Sequence, residues 1–96
     1  MDFIIPSKHI RETETLTAFF HPKPSYKIHI IIMPKKPYRS LSNLESENKE
    51  LLSDLIGMVK DLINEFRLED KGYRLITNGG KYQNIKYLHF HLVSDE

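Results

Sequence analysis

Cysteine is absent from this 96-residue chain. Its absence excludes disulfide staples and thiolate zinc sites, and suits a reducing compartment. Long apolar runs are missing too: none approaches the roughly 20 residues that a membrane-crossing helix needs. The stretch Met1–Ile10 carries Asp2, Pro6, Ser7, Lys8 and His9 instead of a basic start and an apolar core, so no signal peptide is expected. A cytoplasmic location and no membrane partner follow as expectations. Excess charge of one sign is lacking as well. Fourteen Lys and Arg stand against thirteen Asp and Glu, a net charge of +1. That gives no electrostatic footprint for long nucleic acid. The nearest basic cluster is Lys35-Lys36-Pro37-Tyr38-Arg39, in an expected loop; a solvated loop explains it most simply, and a small anionic ligand is compatible with it. There is no repeat, low-complexity tract or linker, so residues 1–96 read as one domain.

What is present is an ordered series of elements. Residues 3–5 and 8–11 are short possible strand starts interrupted by Pro6. Thr15–Phe20 is β-branched and aromatic and predicts a strand. His21-Pro22-Lys23-Pro24-Ser25 predicts a turn. Tyr26–Met33, with four isoleucines, predicts a central buried strand that Pro34 ends. Ser42-Asn43-Leu44-Glu45 fits a capping box opening a helix. The apolar stripe Leu51, Leu52, Leu55, Ile56, Val59, Leu62, Ile63 and Phe66 follows at helical spacing, and Asp70-Lys71-Gly72 closes the segment. Tyr73–Thr77 predicts a strand, Asn78-Gly79-Gly80 a turn permissive for positive φ, and Ile85–Val93 the last strand. The expected class is α+β: an antiparallel sheet of four to five strands with one long helix.

Chemistry concentrates in Tyr87-Leu88-His89-Phe90-His91-Leu92-Val93. On a continuous strand, Tyr87, His89 and His91 would share one face, and Leu88, Phe90 and Leu92 the other. The apolar face is expected to pack inward and the histidine face to stay open to a ligand. Same-face neighbours lie roughly 6.6–7 Å apart, which suits a nucleophile and a proton donor around one phosphorus atom. Three readings of the paired histidines stand open from these residues. They can be plain polar groups on a half-buried strand, which is the usual case. They can ligate a metal, with further ligands drawn from His29, His21, His9 or carboxylates. They can perform covalent catalysis, since neutral imidazole both attacks and donates protons near neutral pH.

The motif resembles that of the histidine triad (HIT) superfamily, His-φ-His-φ-His-φ-φ (φ an apolar residue), with Tyr87 at the first triad position. Upstream, His29-Ile30-Ile31-Ile32-Met33-Pro34-Lys35-Lys36 is similar to the compact Hint branch, where a histidine opens a strand ending in Pro-Lys-Lys. Gly72-Tyr73-Arg74, Asn78-Gly79, Ile5-Pro6 and Ala18-Phe19 fall at matching intervals, so the resemblance covers almost the whole chain. It implies a HIT-like fold and a nucleotide-binding hydrolase or transferase, such as a phosphoramidase. His89 would take the nucleotidyl phosphate, His91 would donate a hydrogen bond or proton, and His29 would support the imidazole cluster. Asn78 would lie near the leaving group, and Gln83 and Asn84 in the loop that contacts phosphate. Phe19, Pro22 and Ile31 would line the base pocket. His21 stands where the family usually has an aspartate that binds ribose hydroxyls, so the paired acceptance of one carboxylate is lost. The loop between Asn78 and Tyr87 is shorter than in typical Hint proteins, and the front helix and zinc-ligand cysteines of many relatives have no counterpart. Ser94-Asp95-Glu96 follow the motif where relatives carry an extension that shapes leaving-group specificity. No metal or other cofactor is expected, because imidazoles and loop amides can stabilise developing charge. The partners implied are a small-molecule nucleotide substrate and a second copy of the chain, a homodimer. A binding protein with little turnover on the same fold, and a metal-binding domain using His89 and His91, are the alternatives.

Overall fold

β-branched and aromatic residues dominate the segments that form the sheet in a computed structural model, which describes residues 9–45 and 48–96. The expected strand start at residues 3–5, and the Ile5-Pro6 match, lie outside these. The elements are β1 (His9–Glu12), β2 (Leu16–Phe20), β3 (Ile28–Pro34), α1 (Lys49–Glu65), α2 (Leu68–Lys71), β4 (Arg74–Ile76) and β5 (Phe90–Ser94), with single 3₁₀ turns at Leu41–Asn43 and Gly80–Tyr82. The five strands form one antiparallel sheet in the order β1-β2-β3-β5-β4. The α+β class is therefore as expected, and the isoleucine-rich strand β3 is central.

Alternation along the strands divides the sheet into two apolar layers. Ala18, Ile30, Ile32, Phe90 and Leu92 face α1 and pack with its Leu51, Leu55, Met58, Val59 and Leu62. Phe20 meets Phe66 edge to face, with ring centroids 5.8 Å apart. On the other face Phe19, Ile31 and Met33 form a second buried cluster. The register Phe19↔Ile31↔His91↔Ile76 runs across four strands, so the last histidine of the motif lies in the row of the second cluster.

Four local expectations are corrected. The Ser42–Glu45 capping box does not form. Ser42 lies in a 3₁₀ turn, where its hydroxyl pairs with that of Ser40, and α1 begins only after Asn48. Short polar side chains satisfy turn backbone as readily as helix ends: here Asn48 Oδ1 accepts the Glu45 N–H at 2.7 Å. The helical segment is also interrupted. Arg67 adopts a left-handed conformation (φ 58°, ψ 41°), a strain of about 1–2 kcal/mol that turns the chain and buries Leu68 completely. Gly72 then closes α2 at φ 96°.

The last strand is shorter than Ile85–Val93, because residues 85–89 find partners outside the ladder. The Leu88 N–H bonds to the Tyr38 carbonyl, and the His89 carbonyl accepts the Thr77 hydroxyl. The helix stripe is narrower as well. Leu52 and Ile56 stay exposed, while Met58, absent from the expected stripe, is 1% exposed.

Candidate active site

Four histidines from three parts of the chain converge on the face opposite α1. His29 comes from β3, His91 from β5, His89 from the segment entering β5, and His21 from the turn after β2. Ring centroids lie 5.0 Å apart for His89–His91, 5.1 Å for His29–His91 and 4.4 Å for the stacked pair His21–His29. His91 and Ile31 are register partners, which sets His91 two residues from His29 across the β3–β5 ladder. The Leu88, Phe90 and Leu92 side chains pack in the α1 layer, as the period-2 pattern requires. The histidine face is less open than expected. His29 and His89 are 6% and 5% exposed; His21, Tyr26 and His91 pack around His29, and His91 packs on His89.

The hydrogen bonds fix where the protons sit on neutral rings. A backbone N–H only donates, so His29 Nδ1, which receives the Ser25 N–H at 3.1 Å, is unprotonated. The His29 proton is then on Nε2 and is donated to His91 Nδ1 at 2.9 Å. The proton of His91 is consequently on its Nε2. A carbonyl only accepts, so His89 Nδ1, 2.8 Å from the Tyr87 oxygen, carries its proton and leaves a lone pair on Nε2. His21 Nδ1 accepts the Lys23 N–H at 2.9 Å, leaving Nε2 of His21 as a donor. The cluster thus holds one ring with a free lone pair beside a ring with a free N–H.

Crowding also favours the neutral form of His91, His29 and His21. His91 is pushed down to about 4, first by burial and then by His89, His29 and His21. His29 is lowered by burial and then by His21, and His21 by burial and then by His89. Any positive charge arriving on one ring meets partly desolvated neighbours that could share the same sign.

A cleft of about 260 Å³ adjoins the cluster, lined by Ser25, Tyr26, His29, Ile76, Asn78 and His91. It is smaller than the ~300–1,000 Å³ pockets that enclose whole drug-sized ligands, so it suits a leaving group or a phosphoryl group. Asn78 lines the same cleft as His29 and His91. Phe19 and Ile31 are buried on the same sheet face, Pro22 is exposed in the turn, and Tyr87 is half-buried. Asn84 is exposed, and the Gln83 carboxamide donates to the Arg39 and Lys86 carbonyls. His9 lies apart, bonded to Thr17 and facing Glu12. Among the described residues no three His, Asp or Glu side chains converge as metal ligands, and the facing His29 and His91 nitrogens are already joined by a hydrogen bond.

Sequence reasoning missed Ser25, Tyr26 and Thr77. Ser25 lies four residues before His29 in a turn rich in proline, and its N–H sets the tautomers of His29 and, through it, His91. Tyr26 packs edge-on against His29 at 5.3 Å. No periodicity marks either residue.

The HIT domain family model matches residues 3–96 of the chain. The chain belongs to the HIT family. It is 35% identical over 92 residues to an uncharacterized HIT-like protein of Buchnera aphidicola, covering 94% of this chain and 82% of that one. Among solved structures, a HIT family hydrolase from Legionella pneumophila superposes with a TM-score of 0.87 at 28% identity, covering 96% of this chain and 84% of that one. A histidine triad nucleotide-binding protein from Candida albicans gives 0.80 at 30% identity, covering 92% of this chain and 65% of that one. The shared HIT fold accounts for the five-stranded sheet and the long helix. Among the described residues, no helix is long and apolar enough to cross a membrane.

Proposed function

We propose that this HIT protein binds a nucleotide conjugate and cleaves the bond between its α-phosphate and the leaving group, through a nucleotidyl-His89 intermediate. The observation that carries the reading is the tautomer of His89. Its Nδ1–H is held by the Tyr87 carbonyl, so Nε2 is the free lone pair, and it sits beside a ring whose free nitrogen, His91 Nε2, bears a proton. In this mechanism His89 Nε2 attacks phosphorus, the P–N or P–O bond breaks, and the leaving group takes its proton from His91 Nε2. His29 Nε2–H polarises His91 from behind, and Ser25 fixes His29 in turn. Water then attacks the phosphorus and gives one proton back to His91 Nε2, and the His89–P bond breaks to release the nucleotide. Positioning and preorganised donors supply the acceleration. Nucleoside phosphoramidates, aminoacyl-adenylates and dinucleoside polyphosphates are the substrate classes.

Asn78 lies at the cleft wall on the leaving-group side. In this reading Phe19, Pro22 and Ile31 line the base pocket, and His21 meets the ribose. His21 Nε2 offers a donor to a ribose oxygen in place of a carboxylate acceptor. We also propose a cytoplasmic two-fold homodimer, supported by the apolar pair Leu52 and Ile56, which is left exposed one turn apart on α1.

Mixing the protein with an adenosine phosphoramidate and recording intact mass tests the reading. A covalent nucleotidyl adduct is expected, absent in His89→Ala. Near-normal turnover by His89→Ala would overturn the assignment. His91→Ala should slow the first step most for leaving groups that need a proton. Tyr87 at the first triad position favours a second reading, nucleotide binding with little turnover. Binding without an adduct, in both the parent and Tyr87→His, would select it.

A further inference from the structure

We propose that Gln83 is a positioning residue for His89, acting through the backbone around Tyr87. This rests on the reading of His89 as the attacking group. The His89 tautomer depends on one carbonyl, that of Tyr87, yet residues 85–89 lie outside the strand ladder. Something else must hold that carbonyl in place. The Tyr87 C=O and the Leu88 N–H belong to one planar peptide unit, so fixing one fixes the other. The Leu88 N–H is held by the Tyr38 carbonyl at 2.8 Å. Residues 38–39 are themselves loop; Asn48 holds the Tyr38 hydroxyl, and Gln83 adds a second attachment to this segment beside the Tyr38–Leu88 bond. Its Nε2 donates one hydrogen to the Arg39 carbonyl at 2.7 Å and the other to the Lys86 carbonyl at 3.3 Å.

The half-buried carboxamide thus clamps residue 39 to residue 86, while Tyr38 holds residue 88. The peptide that orients His89 lies between the two attachments. The side-chain amide has two N–H groups, and both are engaged on backbone oxygens. The backbone N–H of Gln83 is also bonded, to the Gly80 carbonyl at 3.1 Å, which anchors the clamp to its own turn. Loss of the clamp leaves the Tyr87 carbonyl held only through the Leu88–Tyr38 bond, and it gains freedom to rotate. His89 then loses its preferred tautomer and presents Nε2 as the lone pair only part of the time. The rate of the chemical step suffers, while substrate affinity does not.

The test uses the full chain and two variants. Gln83→Met keeps the shape without the donors, and Gln83→Ser keeps a polar group too short to bridge. Nitrogen-15 NMR of the histidine rings, recorded without substrate, reads the tautomer of His89. Steady-state kinetics with an adenosine phosphoramidate reads kcat and KM. In the parent, His89 is expected with its proton on Nδ1. In both variants the signals should move toward a mixture of tautomers. Turnover should fall on the order of tenfold in kcat, with KM within about twofold, as for an interaction felt in the transition state. A raised KM with unchanged kcat and unchanged tautomer would show that Gln83 contacts substrate, and would overturn the proposal. No change in either reading overturns it too. If the parent turns nothing over, the tautomer measurement alone decides the role of Gln83, and the failure counts against the proposed activity.

Discussion

Acidification from pH 7 to pH 5 should destabilise this protein through its histidine cluster, and His91 should be the main cause. In the unfolded chain a histidine titrates near ~6.5. In the folded protein burial and three neighbouring rings push His91 down to about 4. Between those values the unfolded state binds more protons than the folded state, so stability falls as pH falls. Above ~6.5 both states are neutral and the group contributes no slope. At about 1.36 kcal/mol per pKa unit the whole shift corresponds to about 3 kcal/mol, and about 2 of that is lost by pH 5. Water reaches part of the ring, so screening reduces the expected loss to roughly 1 kcal/mol. His29 and His21 are lowered for the same first reason, burial, and add to the slope with the same sign. Glu12, whose carboxyl is held low by Lys35, acts only below the usual carboxylate range and leaves this window clear. Urea unfolding at pH 7, 6 and 5, followed by circular dichroism, measures the effect. A loss of roughly 1 kcal/mol moves the midpoint by somewhat under about 1 M. His91→Gln should flatten the slope over this window. An identical slope in parent and variant would refute the argument, as would a parent that gains stability toward pH 5.

Three further outcomes are expected. Leu62→Ala removes a fully buried side chain between α1 and the sheet, and should cost roughly 2–5 kcal/mol by urea unfolding; a loss well under that would mean that α1 does not pack there as described. Tyr87→Phe should leave turnover within about twofold, because His89 uses the backbone carbonyl and no hydrogen bond to the Tyr87 hydroxyl is formed among the described residues. A larger fall would give the hydroxyl a role in the reaction. Ile56→Glu, at a side chain 59% exposed, should convert a dimer to monomers in sedimentation experiments without lowering the thermal midpoint of the monomer. A parent that is already monomeric at about ten to a hundred micromolar removes the proposed dimer.

Much of the fold was legible because its signals are local. Four isoleucines in Tyr26–Met33 can only be accommodated on a strand buried on both faces, and β3 is that strand. The 3.6-residue stripe from Leu51 to Phe66 needed a surface to pack on, and the sheet supplies it. The family pattern in the motif placed His29, His89 and His91 together before any coordinates. Element ends were harder to read. A serine followed three residues later by a glutamate is compatible with a helix cap and with a turn, and which one forms depends on where the neighbouring chain lies. Residues 85–89 have strand-like composition, yet their backbone partners sit on Tyr38 and Thr77, far along the chain.

The sequence by itself determined which residues are apolar, where they recur and which side chains can carry protons. These are properties of single positions and short spacings, and they suffice for an α+β domain of four to five antiparallel strands; the histidine cluster came from the family pattern. Only the tertiary structure decided the state of that cluster. The tautomers follow from a serine N–H four residues before His29, and from a carbonyl whose orientation depends on loop contacts. The neutral forms of His21, His29 and His91 are favoured by burial and by neighbouring imidazoles from distant parts of the chain. Such effects depend on distances across the fold, which a spacing along the chain does not contain.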